Sequence, residues 1–61
     1  MRKIERIEPF MKKLTKIWIE ECPDWRFGQL MSNVLNSFDI DPFFIEEEEM
    51  LKRFKDYFGE E

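Results

Sequence analysis

Apolar residues recur at helical intervals along the first third of the chain. Ile4, Ile7, Met11, Leu14 and Trp18 follow a 3-4-3-4 spacing, and Phe10 and Ile17 widen the stripe. That spacing predicts an amphipathic helix over about residues 4–21, with Lys12, Lys13, Lys16 and Glu20 off its apolar face. Pro9 conflicts with a full turn before it, because its ring meets the carbonyl four residues back. Starting the helix near residues 6–8, with Pro9 in the first turn and residues 1–5 as a partly ordered lead, resolves the conflict.

Cys22-Pro23-Asp24 interrupts the pattern. Proline at a first helical position and aspartate in a first turn are start signals, so a second helix is expected over about residues 24–37. Phe27, Leu30, Met31, Val34, Leu35 and Phe38 give it a broad apolar face, wider than one neighbour needs, which predicts a central helix. Gly28 costs this helix about 1 kcal/mol relative to Ala. The expected reason is close approach of another backbone or a Trp ring. Residues 36–42 read as a connection. Phe43, Phe44 and Ile45 are too few for a helix face and are expected to be extended, plugging the open end of the helical pair. A third helix is expected from near Glu46 to Tyr57 or Phe58, with Met50, Leu51, Phe54, Tyr57 and Phe58 inward. Its acids come first and Lys52, Arg53 and Lys55 later, the order the helix dipole favours. Gly59 is the stop signal. The result is a compact three-helix, all-α fold in a single domain spanning 1–61.

Composition narrows what such a fold can be. The chain has 61 residues, 43% hydrophobic, 39% charged and 16% aromatic, with two Gly and three Pro. That is too apolar for disorder and too poor in Gly and Pro for a linker. No apolar run approaches the roughly 18–20 residues that span a bilayer, and no h-region of about 7–15 residues follows Met-Arg-Lys. A cytoplasmic protein without a membrane role is therefore expected. Chains of this size usually need a disulfide, a metal or a partner subunit. Cys22 is the lone cysteine and histidine is absent, so a disulfide and a structural zinc site are both excluded. Association remains, and ten aromatic residues fit it. The homodimer interface is expected on the first two helices, at Phe10, Leu14, Trp18, Trp25, Phe27 and Met31.

Charge is uneven. Residues 1–16 carry six cations against Glu5 and Glu8, a balance of +4, and residues 17–38 balance at −2. Residues 39–61 carry nine acids against Lys52, Arg53 and Lys55, a balance of −6. A basic first helix and an acidic tail can attract each other within a chain or between two. The net charge of −4 argues against general nucleic-acid binding.

Five constellations could carry function. Glu46, Glu47, Glu48 and Glu49 fan out around a helix, so they do not converge as metal ligands do. They read either as a solvated helix start or, with Asp39 and Asp41, as a protein-binding or phosphate-mimicking surface. Asp24, Arg26 and Gln29 read as a cap and an ion pair rather than a ligand site. Trp18 and Trp25 could stack a base, but aromatic residues at helical spacing belong more often to a core or an interface. Cys22 lacks a base to activate it and reads as structural. Lys12, Lys13 and Lys16 read as a solvated face that could meet phosphate or an acidic tail. Thr15, Ser32 and Ser37 have no histidine partner, and no Gly-rich phosphate loop is present. Nucleophile, base and stabiliser are never found together, so no enzyme and no cofactor or metal is expected.

Trp18, then Cys22-Pro23-Asp24-Trp25-Arg26-Phe27-Gly28-Gln29-Leu30, then Asp41-Pro42-Phe43-Phe44-Ile45-Glu46, resembles a group of short bacterial and phage proteins. Their pattern is Pro-Asp-x-Arg-x-Gly-Gln-Leu, a loop, a Phe-aromatic-Ile-Glu segment with acids, and a final helix. The resemblance covers roughly residues 14–54 and brings no assigned activity or catalytic residues. It implies a phage or prophage setting, where small acidic proteins bind and inhibit host proteins, as anti-Hachiman-like and anti-CRISPR-like anti-defence proteins do. The expected function is a non-enzymatic protein-binding inhibitor of a host defence protein, acting as a homodimer in the host cytoplasm through Asp39, Asp41, Glu46, Glu47, Glu48 and Glu49. The competing expectations are a nucleic-acid-associated regulator using Lys12, Lys13, Lys16 and Arg26, and a structural subunit of a phage or host complex.

Overall fold

The computed structural model describes residues 2–59. Three α-helices follow one another: α1 (Ile7–Glu21), α2 (Phe27–Leu35) and α3 (Glu47–Tyr57), with short 3-10 turns at Ile4–Arg6 and Pro42–Phe44. The all-α, three-helix reading of the sequence holds, and no strand occurs among the described residues.

Helix α1 begins where Pro9 allows. Pro9 falls in the first helical turn, where its missing N–H has no intrahelical acceptor to lose. Ile4–Arg6, directly before α1, form a 3-10 turn within the stretch expected to be a partly ordered lead. At its other end the Cys22 N–H donates to the Trp18 carbonyl at 3.1 Å.

Helix α2 begins later than Pro23 and Asp24 suggest. Those residues lie in a turn closed by the Trp25 N–H on the Cys22 carbonyl at 3.0 Å. The Trp18 indole N–H then donates to the Trp25 carbonyl, also at 3.0 Å. The Trp25 carbonyl therefore serves the turn, and the first α-helical bond runs from Leu30 N–H to the Arg26 carbonyl. The Arg26 N–H is satisfied by Gln29 Oε1 at 2.7 Å, the backward half of a capping box. At the far end Ser37 Oγ donates to the Val34 carbonyl at 2.6 Å and closes the helix at Leu35. The expected reason for Gly28 does not hold: it is exposed, and nothing lies within 4 Å of the place a Cβ would occupy.

Helix α3 starts from Glu46 and ends at Tyr57, followed by Gly59 at φ +78°, a left-handed conformation suited to glycine. The core is formed by Leu14 and Ile17 of α1, Leu30 and Val34 of α2, Phe54 of α3, and Cys22. Phe54, Leu30 and Val34 are fully enclosed. Phe10, Trp18, Trp25, Met31, Leu35, Phe38, Met50, Leu51 and Phe58 pack around that core, half-buried. No helix among the described residues is long and apolar enough to cross a membrane.

Candidate functional site

Six acidic residues were expected to form one surface, and the structure divides their work. Glu46 accepts from Arg2, with Nε to Oε2 at 2.9 Å. Glu47 accepts from Arg6 Nε at 2.6 Å. Both pairs fasten the segment before α1 to the start of α3, so the basic N-terminal segment and the acidic region meet within one chain. Arg53 holds two more carboxylates, Glu49 and Asp39, each at 3.0 Å. The Arg53 guanidinium also lies over the Phe38 ring, 5.2 Å from its centroid. Hydrogen bonding from Arg2 holds the Glu46 carboxyl below its ordinary range, and hydrogen bonding from Arg53 does the same for Asp39. Asp41 caps the following turn: its Oδ1 accepts the Phe43 N–H at 2.9 Å. Among the described residues Glu48 makes no hydrogen bond or ion pair and faces solvent.

The segment these acids frame is the feature that hydrophobic spacing missed. Phe43 and Phe44 are not extended and plug nothing. Asp41 caps them, Pro42 takes the first position, and the two residues turn outward in a 3-10 turn. Phe43 is 83% exposed and Phe44 75%. Their rings stack edge to face with centroids 4.9 Å apart, so each restrains the other. Ile40 beside them is also exposed. Two exposed aromatic side chains on a capped turn form an aromatic knuckle; Asp39, Glu48 and Glu49 are close to it in sequence, and Arg53 pairs with Asp39 and Glu49. An Asp-Pro start before two Phe was the available signal, since it favours a tight turn over a strand.

The expected dimer residues go mostly to the chain's own core. Leu14 is buried. Phe10, Trp18, Trp25 and Met31 pack against the core. Trp18 meets Phe27 with centroids 5.8 Å apart, and Trp25 meets Phe58 at 6.0 Å. Of the six, Phe27 is the most open to solvent. Both tryptophans thus sit half-buried around the turn between α1 and α2, each against a Phe ring. Of Asp24, Arg26 and Gln29, the last caps α2 through the Arg26 backbone, and Asp24 makes no ion pair with Arg26.

Cys22 is buried, and desolvation pushes its thiol up, with Glu21 adding to the effect. That is the opposite of an activated nucleophile. Among the described residues no group of three or more His, Cys, Asp or Glu is placed to hold a metal ion. Lys12, Lys13 and Lys16 stand exposed along α1. Comparison with family models, with curated proteins and with solved structures finds no match to the chain.

Proposed function

We propose that this chain is a small non-enzymatic protein-binding inhibitor that works as a homodimer and engages its target through the Phe43–Phe44 knuckle. The exposed, mutually braced aromatic pair is the observation that carries the reading. Aromatic anchors seated in a partner's pocket dominate binding energy at protein interfaces, and surrounding polar residues contribute orientation and association rate. Asp41 and Pro42 fix the turn before binding, so little ordering entropy is lost on docking. The acids near the knuckle suit a partner with an apolar pocket and a basic rim. The resemblance to short phage proteins supports a host protein as that partner, with blocking as the mode of action.

Four of the six acids serve internal ion pairs, so reversing all of them would damage the fold as well as any docking. The informative variants are Phe43→Ala with Phe44→Ala, and Glu48→Lys. Affinity capture from host lysate with the native chain is expected to retain a defined protein. The double Phe variant is expected to lose it with unchanged helical circular dichroism, and Glu48→Lys to weaken it. Retention of the same protein by the double variant would exclude the knuckle as the binding site.

A further inference from the structure

The apolar stripe of α1 is longer than the bundle that covers it. Helix α1 packs chiefly on α3, and Arg6, just before α1, donates to Glu47 at the start of α3. Leu14, Ile17 and Trp18 meet the core at the C-terminal end of α1. Toward the N-terminus Phe10 still packs on the core, while Met11 and Ile7 of α1, and Ile4 in the turn before it, stand open. Ile4 is 79% exposed, Ile7 47% and Met11 46%. Beside them runs an open groove of about 610 Å³ lined by Ile4, Glu5, Ile7, Glu8, Pro9 and Lys12.

We propose that a second copy of this chain packs antiparallel on this overhang, α1 against α1, about a two-fold axis near Glu8. The inference rests on the self-association within the proposed function and fixes the face that performs it. Surface area supports a partner of this size. The chain exposes 5054 Å². A well-covered monomer of 7.6 kDa exposes about 4300 Å². The excess, on the order of 750 Å² over the whole molecule and shared with the exposed Phe43–Phe44 turn, is comparable with the roughly 800 Å² that each partner contributes to a standard interface. Charge supports a copy of the same chain. An isologous pairing sets each residue opposite its mirror position. With the axis near Glu8, Glu5 of each copy lies beside Lys12 of the other, so two cross-chain ion pairs flank the apolar stripe. Ile4 then meets the region of Met11, and Ile7 lies near the centre. The two Glu8 side chains approach each other near the axis, a like-charge contact that opposes the pairing.

Sedimentation equilibrium of the full chain at tens of micromolar tests this. The native chain is expected at twice its 7.6 kDa mass. Ile7→Glu and Met11→Glu are expected to raise the dissociation constant roughly 30-fold or more, because each sets a charge in the apolar centre. Ile4→Glu gives the same loss from a position too exposed to disturb folding, so it decides the matter if the other variants unfold. Glu5→Lys is expected to weaken the dimer, Glu5→Lys with Lys12→Glu to restore it, and Glu8→Gln to tighten it. A native chain that stays monomeric overturns self-association as a whole. A native dimer that survives Ile4→Glu and Ile7→Glu overturns this face and leaves self-association standing. A charge swap that fails to restore the dimer overturns the antiparallel pairing.

Discussion

The two glycines show how differently one residue type can act in a chain this short. Gly59 holds φ +78°, which costs any L-residue with a Cβ. Gly28 lies in α2 without a positive φ and with open space where a Cβ would point. Gly59→Ala is therefore expected to destabilise the fold by about 1 kcal/mol, through strain at the end of α3. Gly28→Ala is expected to stabilise it by about 0.5 kcal/mol, mainly by removing freedom from the unfolded chain. Urea unfolding midpoints of the two variants should move in opposite directions from the native chain. Sequence identifies the first role, because glycine after a run of basic residues and aromatics is a stop signal. It misreads the second, because a glycine in a helix invites a packing explanation that the structure does not supply. Trp18 shows the same limit. Its place on the α1 stripe was legible, but its indole donation to the Trp25 carbonyl depends on a turn that spacing does not describe.

At the level of elements, α1 and α3 were readable because each combines a regular apolar stripe with an unambiguous boundary. Pro9 sets the start of α1, and Gly59 follows the end of α3. The start of α2 was not, because Pro23 and Asp24 carry strong start signals while the local turn consumes the carbonyl a helix would need. The acidic run before and within α3 was legible as a dipole-favoured start, and the Arg partners of Glu46 and Glu47 lie more than forty residues away in sequence, beyond any local pattern. Those partners give the fold an acid sensitivity. Glu46 and Asp39 have carboxyls held below their ordinary range by Arg2 and Arg53. Each contributes stability that is fully present above the unfolded carboxylate range, near pH 4, and is lost as pH falls through the lower folded value. Melting temperature is expected to change little between about pH 7 and 5 and to drop below about pH 4. Glu46→Gln or Arg2→Gln should flatten that drop, because either removes the proton-linked pair. Exposure of these pairs keeps the effect modest and salt-sensitive.

For the molecule as a whole, the surplus of apolar residues was legible and its destination was not. Composition demanded cover for ten aromatics, and the first stripe suggested an interface at residues the monomer needs for itself, such as Leu14 and Trp18. Which part of a stripe stays uncovered depends on relative helix lengths and on where the chain reverses, and hydrophobic spacing fixes neither. In the structure the most exposed apolar side chains include Phe43 and Phe44 of the second 3-10 turn and Ile4, with Ile7 and Met11 following it on α1. The two occupants proposed for these surfaces should respond to different variables. Binding between copies stabilises the folded state by mass action, so the melting temperature of the native chain should rise with protein concentration. A tenfold increase adds up to about 1.4 kcal/mol per dimer to the folded side. In a domain this small, that corresponds to a rise of several degrees in melting temperature. Ile7→Glu should melt at one temperature across the whole concentration range, because a monomer gains nothing from mass action. Phe43→Ala with Phe44→Ala should keep the native concentration dependence, since the proposed pairing of copies runs through Ile4, Ile7 and Met11. Scanning calorimetry across a hundredfold concentration range reads both. A concentration dependence lost in the Phe variant and kept in Ile7→Glu would exchange the roles of the two surfaces.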